Sequence, residues 1–186
     1  MKWLIGLVVV LAALAGLTWY FVLDGAAPAR AEGVIDLAAY RALVAADAPE
    51  TLPRQVRVEF VGESNAPSFV AEAGAFGGER TFAYTSFQIV APSGDILIDG
   101  AVDRETLDEM SQGEGSFSEE AYTRVLEALT RAQRVLITHE HLDHVMAIVR
   151  HPAPEAIADR LQLTAAQLEA CRSTRSAAIC LRRSAR

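Results

Sequence analysis

The chain has 186 residues, of which 51% are hydrophobic and 22% charged, and its formal net charge is −7. This length accommodates one domain with a short extra element and excludes a second globular domain of ordinary size. The acidic balance disfavours nucleic-acid binding, which needs a basic surface that neutralises phosphates. Cys171 and Cys180 form neither a disulfide framework nor a CxxC zinc knuckle, so histidine and carboxylate side chains must hold any bound metal.

The first element, residues 1–23, is predicted to be a transmembrane or signal helix. Residues 3–23 carry no charge, and as a helix they would be roughly 31 Å long, about one bilayer core. Lys2 before this run and Asp24 after it favour a cytoplasmic N-terminus. A cleavable signal peptide is the main alternative, and a buried globular helix is a minor one. A transmembrane helix would anchor the following domain to the membrane, and a cleaved signal peptide would leave it secreted. In both cases the domain is expected on the extracytoplasmic (periplasmic) side.

A small-residue linker over residues 24–33 leads into a predicted α/β domain over residues 34–163. Apolar spacing predicts an amphipathic helix over residues 35–47. Residues 56–60 alternate apolar and polar side chains, which predicts a half-buried strand. A weaker strand is predicted for residues 69–73.

The middle of the domain is predicted to contain a hairpin, a helix and a buried strand. Residues 82–90 and 96–98 flank a Pro-Ser-Gly-Asp turn, which predicts the hairpin. Ser116 and Glu119 have capping-box spacing, so a helix is expected to begin there. The apolar run 134–138 predicts a strand buried in a sheet.

Three of the four histidines follow that strand within six residues, in the order His139-Glu140-His141-Leu142-Asp143-His144. In extended chain, His139 and His141 point the same way. Asp143 and His144, at the turn into a helix, can reach a second point nearby. Imidazole and carboxylate are ligands of Zn²⁺, and less often of Fe or Mn. The structural alternative is an exposed histidine-rich turn or a hydrogen-bonded pair of histidines.

This His-x-His-x-Asp-His pattern after a strand resembles the signature of the metallo-β-lactamase-fold hydrolases. The resemblance implies that His139 and His141 bind one metal ion, and that Asp143 and His144 belong to a second metal site. It also implies that Asp143 is required for catalysis. Asp99, at the end of the preceding strand, is implied to orient the ligands, although an aspartate in a plain turn is the alternative.

The resemblance covers about residues 34–163 and implies the first half of an αββα sandwich, C-terminally truncated. The family takes further ligands from a second half, whereas only 42 residues follow His144 here. Val145-Met146-Ala147-Ile148 stands where the family usually has glycines. The one later histidine, His151, is predicted to be a surface residue, with a compensating ligand as the alternative.

The C-terminal part, residues 164–186, is predicted to be a short helix followed by a basic tail. Pro154 is expected to begin a helix over residues 155–161, and Thr164 with Gln167 forms a predicted capping box. From Arg172 onward there are five arginines and no acidic residue. This tail is interpreted either as a contact for a membrane or a partner, or as a non-native end such as a shifted reading frame.

The leading prediction is a metal-dependent enzyme, a zinc hydrolase with one or two ions. By the resemblance, a metal-bound hydroxide attacks an ester, thioester, amide or phosphoester of a small molecule. One alternative is a truncated, non-catalytic remnant with half a metal site. Another is a membrane-anchored interaction module. The protein is predicted to contact a membrane through the N-terminal helix. It is not expected to bind nucleic acid.

Overall fold

A computed structural model describes residues 2–20, 35–72, 74–165 and 167. The chain divides into two compact units. One comprises Met1–Arg41 and Ala66–Arg80, and the other comprises Ala42–Asn65 and Thr81–Arg186. The predicted linker and the basic tail beyond residue 167 lie outside the described residues.

The first unit begins with α1, Lys2–Thr18, whose side chains are all exposed. No helix in the described part of the chain is both long enough and apolar enough to cross a membrane. The predicted transmembrane helix is therefore not supported, and residues 1 and 21–23 of that prediction lie outside the described residues.

Three short helical elements lie outside the sheet, and two of them test the local predictions. Helix α2, Leu37–Ala46, confirms a helix within the predicted range 35–47, although all its side chains are exposed. The Asp36 carboxylate accepts hydrogen bonds from two of its first N–H groups. Residues Pro49–Thr51 form a single 3₁₀ turn. The strand predicted over residues 69–73 is wrong, because Ser68–Ala71 forms a helical turn, α3. Short apolar runs do not distinguish a strand from a helical turn by periodicity alone.

A six-stranded mixed sheet forms the framework of the second unit. The predicted hairpin is confirmed, with Phe87 opposite Ile98 in an antiparallel pair. The last three strands in the sheet order run parallel to one another. The α/β prediction is therefore confirmed. In chain order the strands are β1 (Gln55–Pro67), β2 (Glu79–Val90), β3 (Ile96–Ile98), β4 (Ser116–Phe117), β5 (Arg134–Leu136) and β6 (Leu161–Gln162), and in the sheet they lie in the order β4-β1-β2-β3-β5-β6.

Four helices accompany the sheet of the second unit: α4 (Arg104–Ser111), α5 (Glu119–Arg131), α6 (Leu142–Val149) and α7 (Glu155–Ala158). They contact one another in series, α4 with α6, α6 with α5 and α5 with α7, and their buried side chains form one continuous apolar core with those of the strands, since burial of apolar surface favours this arrangement. The largest fully buried side chains of this core are those of Leu97, Leu107, Leu129, Ile148 and Ile157.

The N-terminus of α5 differs from the predicted capping box. Ser118, not Ser116, is the N-cap, and its Oγ accepts a hydrogen bond of 3.2 Å from the Ala121 N–H. Ser116 lies in β4, opposite Glu63 of β1. Because Ser116 pairs with β1, it is not available as the N-cap that the local spacing predicted. The N-cap of α5 is therefore two residues further along, at Ser118.

The two faces of the sheet are unequally covered. Glu59 of β1 points toward α5, where its carboxylate lies 3.0 Å from Arg124 Nε. Val58 and Phe60, on the opposite side of the strand, are 53% and 46% exposed. The predicted strand is present, but its apolar side faces away from the helices. The described residues form one sheet, so they supply one β layer of the predicted αββα sandwich.

Candidate metal centre

The histidine motif lies at one edge of the sheet of the second unit. Asp99 follows β3, and Thr138 and His139 follow its parallel neighbour β5. Because parallel strands end at the same edge, the residues after β3 and β5 meet there. His141 is the N-cap residue of α6, and Asp143 lies in its first turn, where the helix dipole favours a negative charge.

The buried carboxylate of Asp99 binds three donors. It accepts hydrogen bonds of 2.8 Å from the Thr138 N–H and from the Thr138 hydroxyl. Its third contact, also 2.8 Å, is with His144 Nδ1. An ionised carboxylate only accepts, so His144 carries its proton on Nδ1, and in the neutral ring Nε2 has the free lone pair. Asp99 therefore leaves His144 able to bind a metal through Nε2.

Thr138 extends the effect of Asp99 to a second imidazole. The Thr138 hydroxyl gives its one proton to Asp99, so toward His139 Nδ1, 3.1 Å away, it can only accept. His139 therefore donates from Nδ1 and keeps the lone pair on Nε2. One carboxylate thus sets the tautomer of two of the predicted ligands. Sequence reasoning missed Thr138, although a hydroxyl residue directly before the first histidine was a visible signal.

The predicted ligand side chains lie close together. The ring of His139 is 4.5 Å from that of His141 and 4.0 Å from that of His144, measured between centroids. His144 Nε2 lies 3.4 Å from Asp143 Oδ2. Two ligand atoms that share a tetrahedral zinc ion are about 3.4 Å apart, so this pair fits a common ion. Nevertheless, no three or more His, Cys, Asp or Glu side chains within the described ranges are arranged to hold a metal.

The turn after Asp99 approaches α6 closely. The Gly100 N–H donates a hydrogen bond of 2.7 Å to the His144 carbonyl. A Cβ atom at Gly100 would lie 2.6 Å from Ile148 Cγ1, so only glycine allows this approach. Asp99 and Ala101 on either side both have positive φ angles, of 60° and 59°. The close approach therefore uses a glycine before the motif, while Val145-Met146-Ala147-Ile148 forms the buried side of α6.

His151 is a buried structural residue, so the predicted surface position is wrong. Its Nδ1 accepts a hydrogen bond of 3.1 Å from the Ala153 N–H, which leaves the proton on Nε2. Nε2 lies 3.2 Å from both the Leu126 carbonyl and the Thr130 hydroxyl, on α5. Both ring nitrogens are engaged in these contacts.

Known structures resemble this chain over about two thirds of its length. An N-acyl homoserine lactone lactonase aligns with a TM-score of 0.50 at 11% identity, over 67% of this chain and 52% of its own. An N-acyl homoserine lactone hydrolase, with its product at a catalytic metal centre, aligns with a TM-score of 0.51 at 12% identity, over 66% and 53%. The chain has a metallo-β-lactamase fold.

The resemblance is in structure and not in sequence, and it covers only part of each chain. The metallo-β-lactamase SMB-1 aligns with a TM-score of only 0.30 at 20% identity, over 68% of this chain and 40% of its own. No protein-family model matches the sequence, and no curated protein matches it. The chain spans about half the length of the lactonases that it resembles. These neighbours of the metallo-β-lactamase fold are hydrolases.

Proposed function

We propose that this protein is a metal-dependent hydrolase that acts on a small molecule. The observation that carries the proposal is the contact between buried Asp99 and His144 Nδ1, which leaves His144 Nε2 3.4 Å from the Asp143 carboxylate. A buried carboxylate that orients the far nitrogen of an imidazole is a common support of metal ligands.

The residues that would hold the metal are His139, His141, Asp143 and His144. Their nitrogen and oxygen donors suit Zn²⁺ better than Mg²⁺ or Ca²⁺, which prefer oxygen alone. The bound metal would supply Lewis acidity toward water and toward the carbonyl or phosphoryl oxygen of the substrate. The protein's own contribution is to hold His139 and His144 in the tautomers that Asp99 and Thr138 set. Iron and manganese are the other metals that this donor set accommodates.

We propose an ester, thioester, amide or phosphoester as the scissile bond, with a cyclic ester as the first substrate to test. The solved neighbours with the same fold include N-acyl homoserine lactone hydrolases, whose lactone is a cyclic ester. Glu140 and His141 are exposed, so a small molecule can approach this edge of the sheet from solvent.

The deciding experiment measures metal content and hydrolysis on the same purified protein. Elemental analysis should find one or two zinc ions per chain, and a lactone or chromogenic ester should be hydrolysed. His141→Ala should lower the metal content and abolish hydrolysis, and Asp143→Ala should do the same. His151→Gln is the matched control, because it replaces a histidine that is engaged elsewhere with a polar side chain that can still donate and accept, and it should keep the metal. Metal content that is equal in all variants would contradict the proposal.

A second candidate is a non-catalytic protein with half a metal site. Two observations favour it: the apolar side of β1 is exposed, and within the described ranges no three His, Cys, Asp or Glu side chains are arranged to hold a metal. This candidate predicts at most one weakly bound ion per chain and no turnover with any ester. The same elemental analysis and hydrolysis assay distinguish the two candidates.

We also propose that the protein acts outside the cytoplasm and does not bind nucleic acid. The uncharged run over residues 3–23 and the formal net charge of −7 support these two proposals. Fractionation of the expressing cells should recover the protein outside the cytoplasm, and recovery in the cytoplasm would contradict the first proposal. Retention on immobilised DNA at about 0.15 M salt would contradict the second.

A further inference from the structure

The peptide unit between Ile137 and Thr138 is held by a side chain at each end. Its carbonyl, on Ile137, accepts a hydrogen bond of 2.8 Å from Gln167 Nε2. Its N–H, on Thr138, donates a hydrogen bond of 2.8 Å to Asp99 Oδ1. Because a peptide unit is planar, these two contacts together fix its rotation. The direction in which the chain enters His139 is fixed with it.

The Gln167 side chain is itself fixed in orientation. Its Oε1 accepts hydrogen bonds from the Thr164 N–H, at 2.8 Å, and from the Thr164 hydroxyl, at 3.0 Å. Since a backbone N–H can only donate, the amide oxygen must face Thr164, and the amide nitrogen must face Ile137. Gln167 is 9% exposed, so water does not readily replace it at the Ile137 carbonyl.

We propose that Gln167 is a positioning residue for the histidine site. Hydrogen bonds run in series from Gln167 through the Ile137–Thr138 peptide to Asp99, which also binds His144. Hydrogen bonds in such a chain polarise one another, and the Gln167 donor strengthens the N–H that faces Asp99. A residue 23 positions after His144, the last histidine of the motif, thereby helps to set the geometry of the motif. This inference rests on the proposed function.

Two variants separate positioning from helix capping. Gln167→Glu keeps an oxygen for Thr164 but removes the donor to the Ile137 carbonyl. Thr164→Val removes the hydroxyl of the capping pair and keeps the Gln167 donor. The probe is cobalt(II) alone, which is titrated into the metal-free protein while the visible spectrum is recorded. We expect Gln167→Glu to bind cobalt about 10-fold more weakly and with altered absorption bands, and Thr164→Val to resemble the wild type.

A second readout needs no metal. In the metal-free protein, the Thr138 amide should exchange with deuterium faster in Gln167→Glu than in the wild type, since its peptide unit is held at one end only. An unchanged exchange rate of the Thr138 amide would contradict the claim that Gln167 holds the Ile137–Thr138 peptide unit in place. If Gln167→Glu does not fold, Gln167→Met, which has a similar length and no donor, carries the same expectations.

The outcomes distinguish this inference from the proposed function. Equal cobalt affinity and equal spectra in the wild type and Gln167→Glu would overturn the positioning role and leave the proposed function intact. Equal weakening in Thr164→Val and Gln167→Glu would assign the effect to capping and would also overturn it. A wild-type protein that binds no cobalt would refute the proposed function, and the positioning role with it.

Discussion

The two faces of the sheet in the second unit differ in a way that the strand sequences alone do not reveal. On β1, Glu59 faces α5 and pairs with Arg124, whereas the neighbouring Val58 and Phe60 lie on the exposed side. On β3, Leu97 is buried beneath the helices, and Ile96 and Ile98 on the other side are only partly covered. One face is thus covered by helices, and the other presents apolar side chains without a covering layer among the described residues.

This difference shows that alternation specifies two faces of a strand but does not specify which face is buried. The helix-covered face includes an ion pair, and the exposed face is the more apolar one at β1. A single β layer of a sandwich has this character, because the second layer normally buries the other face. The histidine site lies beyond the C-terminal ends of the parallel strands β3 and β5.

The largest expected effect comes from a matched pair of truncations on the two faces. Leu97→Ala should lower the free energy of unfolding by about 2–5 kcal/mol, because Leu97 is 2% exposed and its loss leaves a cavity. Phe60→Ala should cost about 1 kcal/mol or less, because Phe60 is 46% exposed. Urea unfolding followed by circular dichroism measures both values. Equal losses would show that the Phe60 face is covered in solution.

The next effect is at the edge of the sheet, where Asp99→Asn retains the side-chain shape but gives up one acceptor oxygen. The amide nitrogen would face either the Thr138 N–H, so that a hydrogen bond is lost, or the Thr138 hydroxyl and His144 Nδ1, so that the neutral His144 ring moves its proton to Nε2. Zinc affinity should fall about 10- to 100-fold in a competition titration with a chromogenic chelator. Asp95→Asn, directly before β3, is a matched control that should leave the affinity unchanged. A wild-type affinity in Asp99→Asn would refute the orienting role.

A smaller effect on the helix-covered side concerns Tyr122 of α5. Burial, together with the nearby Asp103 carboxylate, raises the pKa of the Tyr122 phenol to about 12 from its ordinary value of 10.0. The unfolded chain loses this proton first, so the contribution of Tyr122 to stability is full below pH 10 and is lost between pH 10 and about 12.

Tyr122→Phe tests this dependence on pH. The stability of the wild type should decline more steeply than that of Tyr122→Phe as the pH rises above 10, because only the wild type has the phenol. Urea unfolding at about pH 9 and about pH 11 gives the comparison for both proteins. Parallel declines in the two proteins would remove Tyr122 as a source of the pH dependence.

The smallest expected change in stability is on the exposed face. Val58→Thr together with Phe60→Ser should change the free energy of unfolding by only about 0.5–1 kcal/mol, because both side chains are half exposed. The double variant should nevertheless self-associate less, since exposed apolar patches promote association. Sedimentation velocity at several concentrations measures this, with the exposed pair Arg57→Lys and Gln55→Asn as a control. Unchanged self-association would show that this face is not the contact surface.

Several predictions that rest on patterns among neighbouring residues are confirmed. The hairpin of β2 and β3 follows from its turn, and the helix α2 follows from its apolar spacing. The capping pair of Thr164 and Gln167 was also predictable, and its reciprocal hydrogen bonds confirm it. The local predictions failed at Ser116, which pairs with β1 in β4, and at residues 69–73, where a helical turn is present instead of the predicted strand.

The sequence by itself determined that three histidines and an aspartate follow a buried strand, because the strand and the motif are contiguous in the chain. Only the tertiary structure decided which groups support them. Thr138 and His144 meet Asp99 across 39 and 45 residues, and Gln167 reaches Ile137 across 30. The tertiary structure also decided that His151 is buried against α5 and that Val58 and Phe60 are exposed. Such contacts depend on which strands and helices become neighbours, and the short-range spacing of residue types carries no information about that choice.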